Sequence, residues 1–339
     1  MKKILVWLFF VLAFTAGVSA YGEVSTSEEE SLEDVQDSSV CVIGFFNKYD
    51  TATYWVEETA WKIDGTDSVC SAYYSMKVRL NVVDSTAKGY KMEYTFLEFP
   101  EPELSDSASV LERFQKEITA KYAQKIVGTT VRFETDEYGA ITKYNNLSQI
   151  KKQAKSLYKN VLNDLYELPE IKEMKKAGFD IKDYAKKIDT DKLIDGYLEE
   201  LTLLFINHGK CINTGEFTEH EDATDTQLET TTYISASEDT VEGLYHVVYD
   251  VVNVVPQKLM KELVGGIVDA FSNDSVTKSF NENFDAQVNT DGTYEEYLHF
   301  IYTYSGLPCR VVKQESTMIE NAGKLKQKII TIDSFSSAQ

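Results

Sequence analysis

The residues best able to do acid–base or metal chemistry in this chain are its four histidines, His208, His220, His246 and His299, and they lie far apart. None belongs to an HExxH pattern, which would put two imidazoles on one helix face. The chain also has no GxSxG elbow, no GxxxxGK[ST] phosphate loop and no GxGxxG turn. The sequence therefore predicts a protein that is not an enzyme and carries no cofactor. His220-Glu-Asp222 has the composition of half a metal site, but reads better as a solvated loop. Asn289-Thr-Asp291-Gly292 begins like a calcium loop. With Gly292 as the sixth residue, however, the twelfth is Leu298, where a bidentate glutamate belongs; the segment reads as a turn into a strand. Asp189, Asp191 and Asp195 surround a helix start, where acids favour the dipole. His299, between Leu298 and Phe300, reads as a satisfied sheet histidine. No metal site is expected.

Cys41, Cys70, Cys211 and Cys309 are too widely spaced for a CxxC redox motif or a zinc knuckle. In an exported chain they can form disulfides. Pairing within each half of the chain gives Cys41–Cys70 and Cys211–Cys309, against the alternative of buried free thiols.

Aromatic residues are the abundant feature, with 21 Tyr and 17 Phe. They concentrate in the stretch from Ser71 to Phe99. Tyr74, Met76, Val78, Leu80 and Val82 alternate with Ser75, Lys77, Arg79 and Asn81, the period of a half-buried strand. After the turn-forming loop Asp84–Gly89, Tyr90, Met92, Tyr94 and Phe96 again share one face. An antiparallel hairpin with one oily face is predicted. Tyr74, Met76, Val78, Tyr90, Met92, Tyr94 and Phe96 are the candidate ligand-binding residues, lining a cavity for an apolar or amphiphilic molecule. The same residues suit a packed sheet core, the reading of an interaction or structural module without a small-molecule ligand.

The elements that would position this face follow in order. Residues 1–20 have the basic start, short apolar core and small-x-small end of a secretory signal peptide, cut after Ala20. Residues 21–40 are an acidic flexible linker, with no basic residue from Glu23 to Ser39. A β-rich half is expected over 41–145, a helical insertion over 146–210, a second β-rich half over 211–333, and a frayed tail over 334–339. The first half holds a strand over Thr53–Ile63, the hairpin, a helix behind Ser109-Val-Leu-Glu112, and a second hairpin through Val131–Tyr144. The insertion carries Ile150, Ala154, Leu157, Val161 and Leu165 on one helix side, with lysines on the other, and a further helix over Asp191–Asn207. The second half holds strands at Thr226–Ser235 and Gly243–Val254, a helix from Pro256, and a closing meander. No stretch of the mature chain is long and apolar enough for a stable membrane span, so a soluble, periplasmic or extracellular protein is expected. The net charge of −21 excludes nucleic acid as a partner, because such binding needs a basic surface.

Strand arms around single helices give an α+β fold of curved antiparallel sheets wrapped over helices, with two halves of similar element order. Three segments carry a resemblance: Val131-Arg-Phe-Glu-Thr-Asp136 with Gly139-Ala-Ile141, Tyr304-Ser-Gly-Leu-Pro308 leading into a strand, and the amphipathic strands ending at Ile332-Asp333. In these the chain resembles exported bacterial half-barrel proteins typified by the periplasmic lipoprotein carriers. The resemblance implies a strongly bent sheet around helices, with a cavity for the acyl chain of a lipid or lipoprotein. The lysine-bearing helical insertion departs from the small carriers.

The cleavage site predicts a mature chain that begins at Tyr21. Intact-mass measurement of the exported protein should show the loss of residues 1–20, and a retained Met1 would reject the reading.

Overall fold

The computed structural model describes residues 39–100, 103–104, 125–167, 193–224, 227–262 and 288–337, with a few isolated positions between them. The signal peptide, the linker up to residue 38, the helix read behind Ser109-Val-Leu-Glu112, a short helix that Pro169 would start and Gly178 would end, and most of the helix read from Pro256 lie outside the described residues. Among the described residues no helix is long and apolar enough to cross a membrane.

The fold is α+β and dominated by one broad antiparallel sheet, curved and not closed. Its first part contains β2 (Thr51–Asp64), β3 (Asp67–Thr86), β4 (Gly89–Glu98), the short β5 (Glu103–Leu104), β6 (Thr130–Thr135) and β7 (Ile141–Tyr144). Its second part contains β9 (Gly215–Glu221), β10 (Glu229–Asp239), β11 (Leu244–Val255), β12 (Gly292–Thr303), β13 (Pro308–Ile319) and β14 (Ala322–Ser336). The order across the sheet is β7-β6-β4-β3-β2-β14-β13-β12-β11-β10-β9, with β5 beside β3. The two β-rich sections thus form one continuous sheet, fused where the first long strand pairs with the last, Thr51↔Ser336 to Asp64↔Ala322. The tail expected at 334–339 is therefore strand as far as Ser336. Two helices, α1 (Leu147–Tyr166) and α2 (Leu193–Phe205), separate the parts in sequence.

The predicted hairpin is β3–β4, with Leu80 opposite Tyr94 and Val82 opposite Met92. The second hairpin, β6–β7, turns where the Asp136 carboxylate accepts hydrogen bonds from the Tyr138 and Ala140 amides (3.0 and 2.9 Å). Along α1 the lysines lie outward and Ile150 and Ala154 are buried. The C-terminal part of α2 is buried nearly all round, through Leu198, Leu201, Leu203, Leu204 and Phe205. It ends at Gly209, whose φ of +79° favours glycine.

A separate two-stranded ribbon was not expected. β1 (Ser39–Val42) pairs with β8 (Lys210–Asn213), placing Cys41 directly opposite Cys211. These two cysteines form the disulfide, while Cys70 and Cys309 are free. The expected Cys41–Cys70 and Cys211–Cys309 pairs are thereby corrected. The physical reason is the ribbon: its register sets Cys41 against Cys211, whereas Cys70 lies on β3 opposite Trp61. The chain then crosses one end of the sheet. Gly44 N donates to Tyr138 O (2.8 Å), Phe45 N to Ser305 O (2.9 Å) and Gly209 N to Val42 O (2.9 Å). Gly306, at φ +74°, lets this crossing segment approach: a Cβ there would collide with the Ile43 carbonyl. β9, also unexpected, is an edge strand exposed along all its length.

The disulfide ties residues 170 apart in sequence. Closing so long a loop should stabilise the fold by about 3–5 kcal/mol. Cys41→Ser or Cys211→Ser should lower the denaturant midpoint accordingly, whereas Cys70→Ser should leave it nearly unchanged. Equal losses for Cys41→Ser and Cys70→Ser would restore the pairing within halves.

Candidate functional site

Side chains of paired strands line up in rows across a sheet, so the register fixes what the helix-bearing inner face presents. One row runs Met76, Val56, Ile330, Val311, Phe300, Val247, Ala236 and is apolar throughout. α2 packs over this region. Val78 and Tyr94 are 0 % exposed, with Met92 and Phe96 nearly so. These four therefore belong to the packed core. Tyr90 is buried as well, and its hydroxyl donates to Gly44 O (2.7 Å). Tyr74 and Met76 are half-buried, farther along β3. The structure thus brings the seven candidates onto one inner face, five in a packed core and two at its margin.

The next rows along the strands change character. Tyr74, Glu58, Lys328, Lys313, Leu298 and Tyr249 form one; Ala60, Lys326, Glu315, Glu296 and Val251 form the next. Lys328 and Lys313 are directly opposite one another, as are Glu315 and Glu296. Like charges so placed repel, and the pairing is rescued by neighbours. The α2 residue Glu199 bridges the two lysines, at 3.0 Å from Lys313 Nζ and 2.5 Å from Lys328 Nζ. Lys313 in turn reaches Glu296 (3.2 Å) and Glu315 (3.1 Å). Lys328, 7 % exposed, also contacts Glu200 (2.7 Å), and Glu58 receives Lys326 (3.3 Å). Burial by itself would raise the Glu199 and Glu58 carboxyls, but the adjacent lysines hold both below the usual carboxylate range. Burial likewise opposes the charge on Lys328 and Lys313, and the glutamates overcome it and raise both.

Beyond the ionic belt the inner face turns apolar again, where Val255, Met260, Phe284 and Val288 cluster with Tyr294 and Ile319. At the opposite end, beneath the apolar row, His208 is buried against Phe205, Phe46 and Tyr302. Its Nε2 is 2.9 Å from Gly306 O and its Nδ1 has no partner. Burial pushes its pKa down to about 4. Tyr54 and Tyr94 also carry buried hydroxyls without hydrogen-bond partners, and burial raises both.

The other histidines lie elsewhere. His246 Nδ1 and His299 Nε2 are 3.2 Å apart on the outer face, with the rings stacked. Burial, then His246 and Arg310, lower the His299 pKa. His220 stands on β9, in a strand rather than the expected loop, with Thr231 Oγ1 at 3.0 Å and Asp222 at 3.3 Å. Asp291 accepts from Gln257 N (2.9 Å) at the turn into β12, as the sequence indicates. Among the described residues no group of three His, Cys, Asp or Glu side chains is placed to hold a metal ion.

No protein family matches the chain, and no curated protein matches it. A solved structure titled "Lipid-protein interactions in lipovitellin" is similar at a TM-score of 0.38 and 11 % identity, over 87 % of this chain. The chain spans 26 % of the length of that one.

Sequence reasoning missed the ionic belt. A signal existed: Lys313, Glu315, Lys326 and Lys328 share strand parity with the core residues Val311 and Ile330, so charge had to share their face. Glu199-Glu200, in a helix whose C-terminal part is mostly leucine, were the complement.

Two titrations follow. The His208 pKa is depressed from 6.5, so its contribution is complete above about pH 6.5 and is lost as pH falls towards 4. That loss amounts to about 3 kcal/mol. Glu199 and Glu58 are depressed as well, so their contribution is complete above the unfolded carboxylate pKa of about 4.3 and fades below it. Denaturant melts should therefore weaken from pH 6.5 to 4 in the parent and stay flat there in His208→Gln. Lys328→Met, which removes the cation beside Glu200 and leaves Glu199 with Lys313 alone, should cost about 3–5 kcal/mol at pH 7. A parent profile that is flat to pH 4, or a cost under 1 kcal/mol, would refute this account.

Proposed function

We propose that this protein is an exported, non-enzymatic binding module that holds an amphiphilic ligand, such as a lipid or a lipoprotein acyl chain, against the inner face of its half-barrel. The observation that carries the reading is the order along that face: apolar row, ionic belt, apolar cluster. An amphiphile offers the same sequence of chemistries, with hydrocarbon for the apolar ground and a polar head for the lysines and glutamates. The half-buried Tyr74, Met76, Tyr249 and Val251 flank the belt and suit contact with such a molecule. The sealed residues Val78, Met92, Tyr94 and Phe96 form the floor that supports it.

A second reading is favoured by the tight packing of those same four residues: an interaction module whose inner face is filled by its own side chains. One experiment separates the two. The native protein is titrated with a hydrophobic fluorescent probe, with a fatty acid as competitor. The amphiphile reading expects saturable binding, displacement by the fatty acid, and weaker binding in Val251→Trp with an unchanged melt. Val78→Trp should instead lose about 1–3 kcal/mol of stability by overpacking. No saturable binding in the parent would reject the ligand and leave the interaction module.

A further inference from the structure

Large apolar side chains exposed to solvent are scattered over most protein surfaces. Here they are gathered. Of the eleven such residues among the described ones, seven lie at the end of the sheet crossed by the segment 43–50: Phe45, Tyr49, Val83, Tyr138, Val241, Tyr304 and Phe335. Phe45, Tyr49 and Val241 are 64 %, 65 % and 93 % exposed. Backbone hydrogen bonds knit their carriers into one rim. Gly44 N donates to Tyr138 O, Phe45 N to Ser305 O, Tyr304 N to Gly243 O, and Tyr49 N to Val82 O. The rim is acidic as well as aromatic. Asp84, Glu137, Glu238, Asp239 and Glu242 adjoin these residues and outnumber Lys48, Lys88, Lys91 and Lys210.

The rim already holds one ammonium group. Lys48 Nζ sits 5.2 Å from the centre of the Tyr49 ring and 3.3 Å from the Asp84 carboxylate. An aromatic face and a carboxylate about one cation is the arrangement that recognises quaternary ammonium groups. From this we infer that the rim docks on a lipid surface displaying trimethylammonium headgroups, with Phe45, Tyr49, Tyr138 and Tyr304 entering the headgroup layer and the carboxylates facing the choline cations. Tyr and Phe suit that depth because each pairs a large apolar body with, in tyrosine, a polar tip. The side chains project from separate turns, which fits a deformable surface better than a shaped protein pocket. The excess of carboxylates sets the sign: anionic lipid is repelled. This inference stands whether or not a ligand occupies the inner face.

The test is co-sedimentation of the exported chain with vesicles of phosphatidylcholine or of phosphatidylglycerol at low salt. Binding to phosphatidylcholine is expected, with partition into phosphatidylglycerol about tenfold weaker, and tetramethylammonium should compete. Removing three exposed side chains in Phe45→Ser/Tyr49→Ser/Tyr138→Ser should weaken partition by about a hundredfold or more. The melt should stay unaltered, since none of the three is buried. A control triple, Val69→Ser/Phe217→Ser/Tyr233→Ser, removes exposed apolar groups elsewhere and should bind as the parent does. Absent binding, equal binding to both vesicles, or equal losses in the two triples would each overturn the inference. So would a rim-dependent dimer in sedimentation velocity without vesicle binding, which would assign the rim to a second copy of the chain.

Discussion

Two lysines face each other across neighbouring strands in the middle of the sheet, and everything above them depends on how that repulsion is resolved. Lys313 and Lys328 are directly paired in the β13–β14 register. The strands supply part of the counter-charge, since Glu315 and Glu296 reach Lys313, but neither of these bridges the two lysines. The bridging carboxylate comes from α2, a helix far away in the chain. Without Glu199 the two lysines would keep their separate partners, Glu296 and Glu315 on one side and Glu200 on the other, and lose the carboxylate that bridges them. Without the lysines, α2 would bury two adjacent carboxylates. Each makes the other tolerable, and neither makes sense alone. Buried ion pairs add little net stability over a well-packed apolar replacement, because desolvation offsets the attraction. What this one adds is position: α2 has one place on the sheet where its glutamates meet cations.

With α2 placed, the apolar row beneath it has a lid and the end of the sheet has a plug. Phe205, at the end of the helix, stacks on His208, which meets Phe46 and Tyr302. Phe46 belongs to the segment that the Cys41–Cys211 ribbon brings across the sheet end. A helix, a disulfide-tied ribbon and a crossing loop thus converge on one aromatic cluster. Glycines at 139 and 306 permit the approach: the first faces the His208 ring and the second the Ile43 carbonyl.

The parts of the fold that were legible in the sequence were the local ones. Alternation of period two in Tyr74–Val82 and Tyr90–Phe96 gives the hairpin, and its turn residues give the register. The closing meander and both described helices were legible for the same reason. Long-range pairings were not. Nothing local in Ser39–Val42 marks it as a partner of Lys210–Asn213, so the disulfide was assigned by proximity in sequence and came out wrong. The ionic belt was hidden because charged residues at alternate positions read as a wet face, and a strand lying on helices can have charge on its covered side. The candidate ligand residues were placed on the correct face, but their packing against α2 depended on a helix whose docking the sequence leaves unspecified.

An unclosed sheet has two lateral borders, and one of them here is β9. Its seven residues are exposed on both faces, and among the described residues its outer backbone groups lack a neighbouring strand. Such a border is a template on which another chain can polymerise. Glu216, Glu219 and Glu221 stud it, with Asp222 just beyond. Identical copies approaching border to border would bring these carboxylates together, and their mutual repulsion disfavours that pairing. At this border the safeguard is charge. Salt concentrated enough to screen these carboxylates would leave the same border open to edge-to-edge pairing.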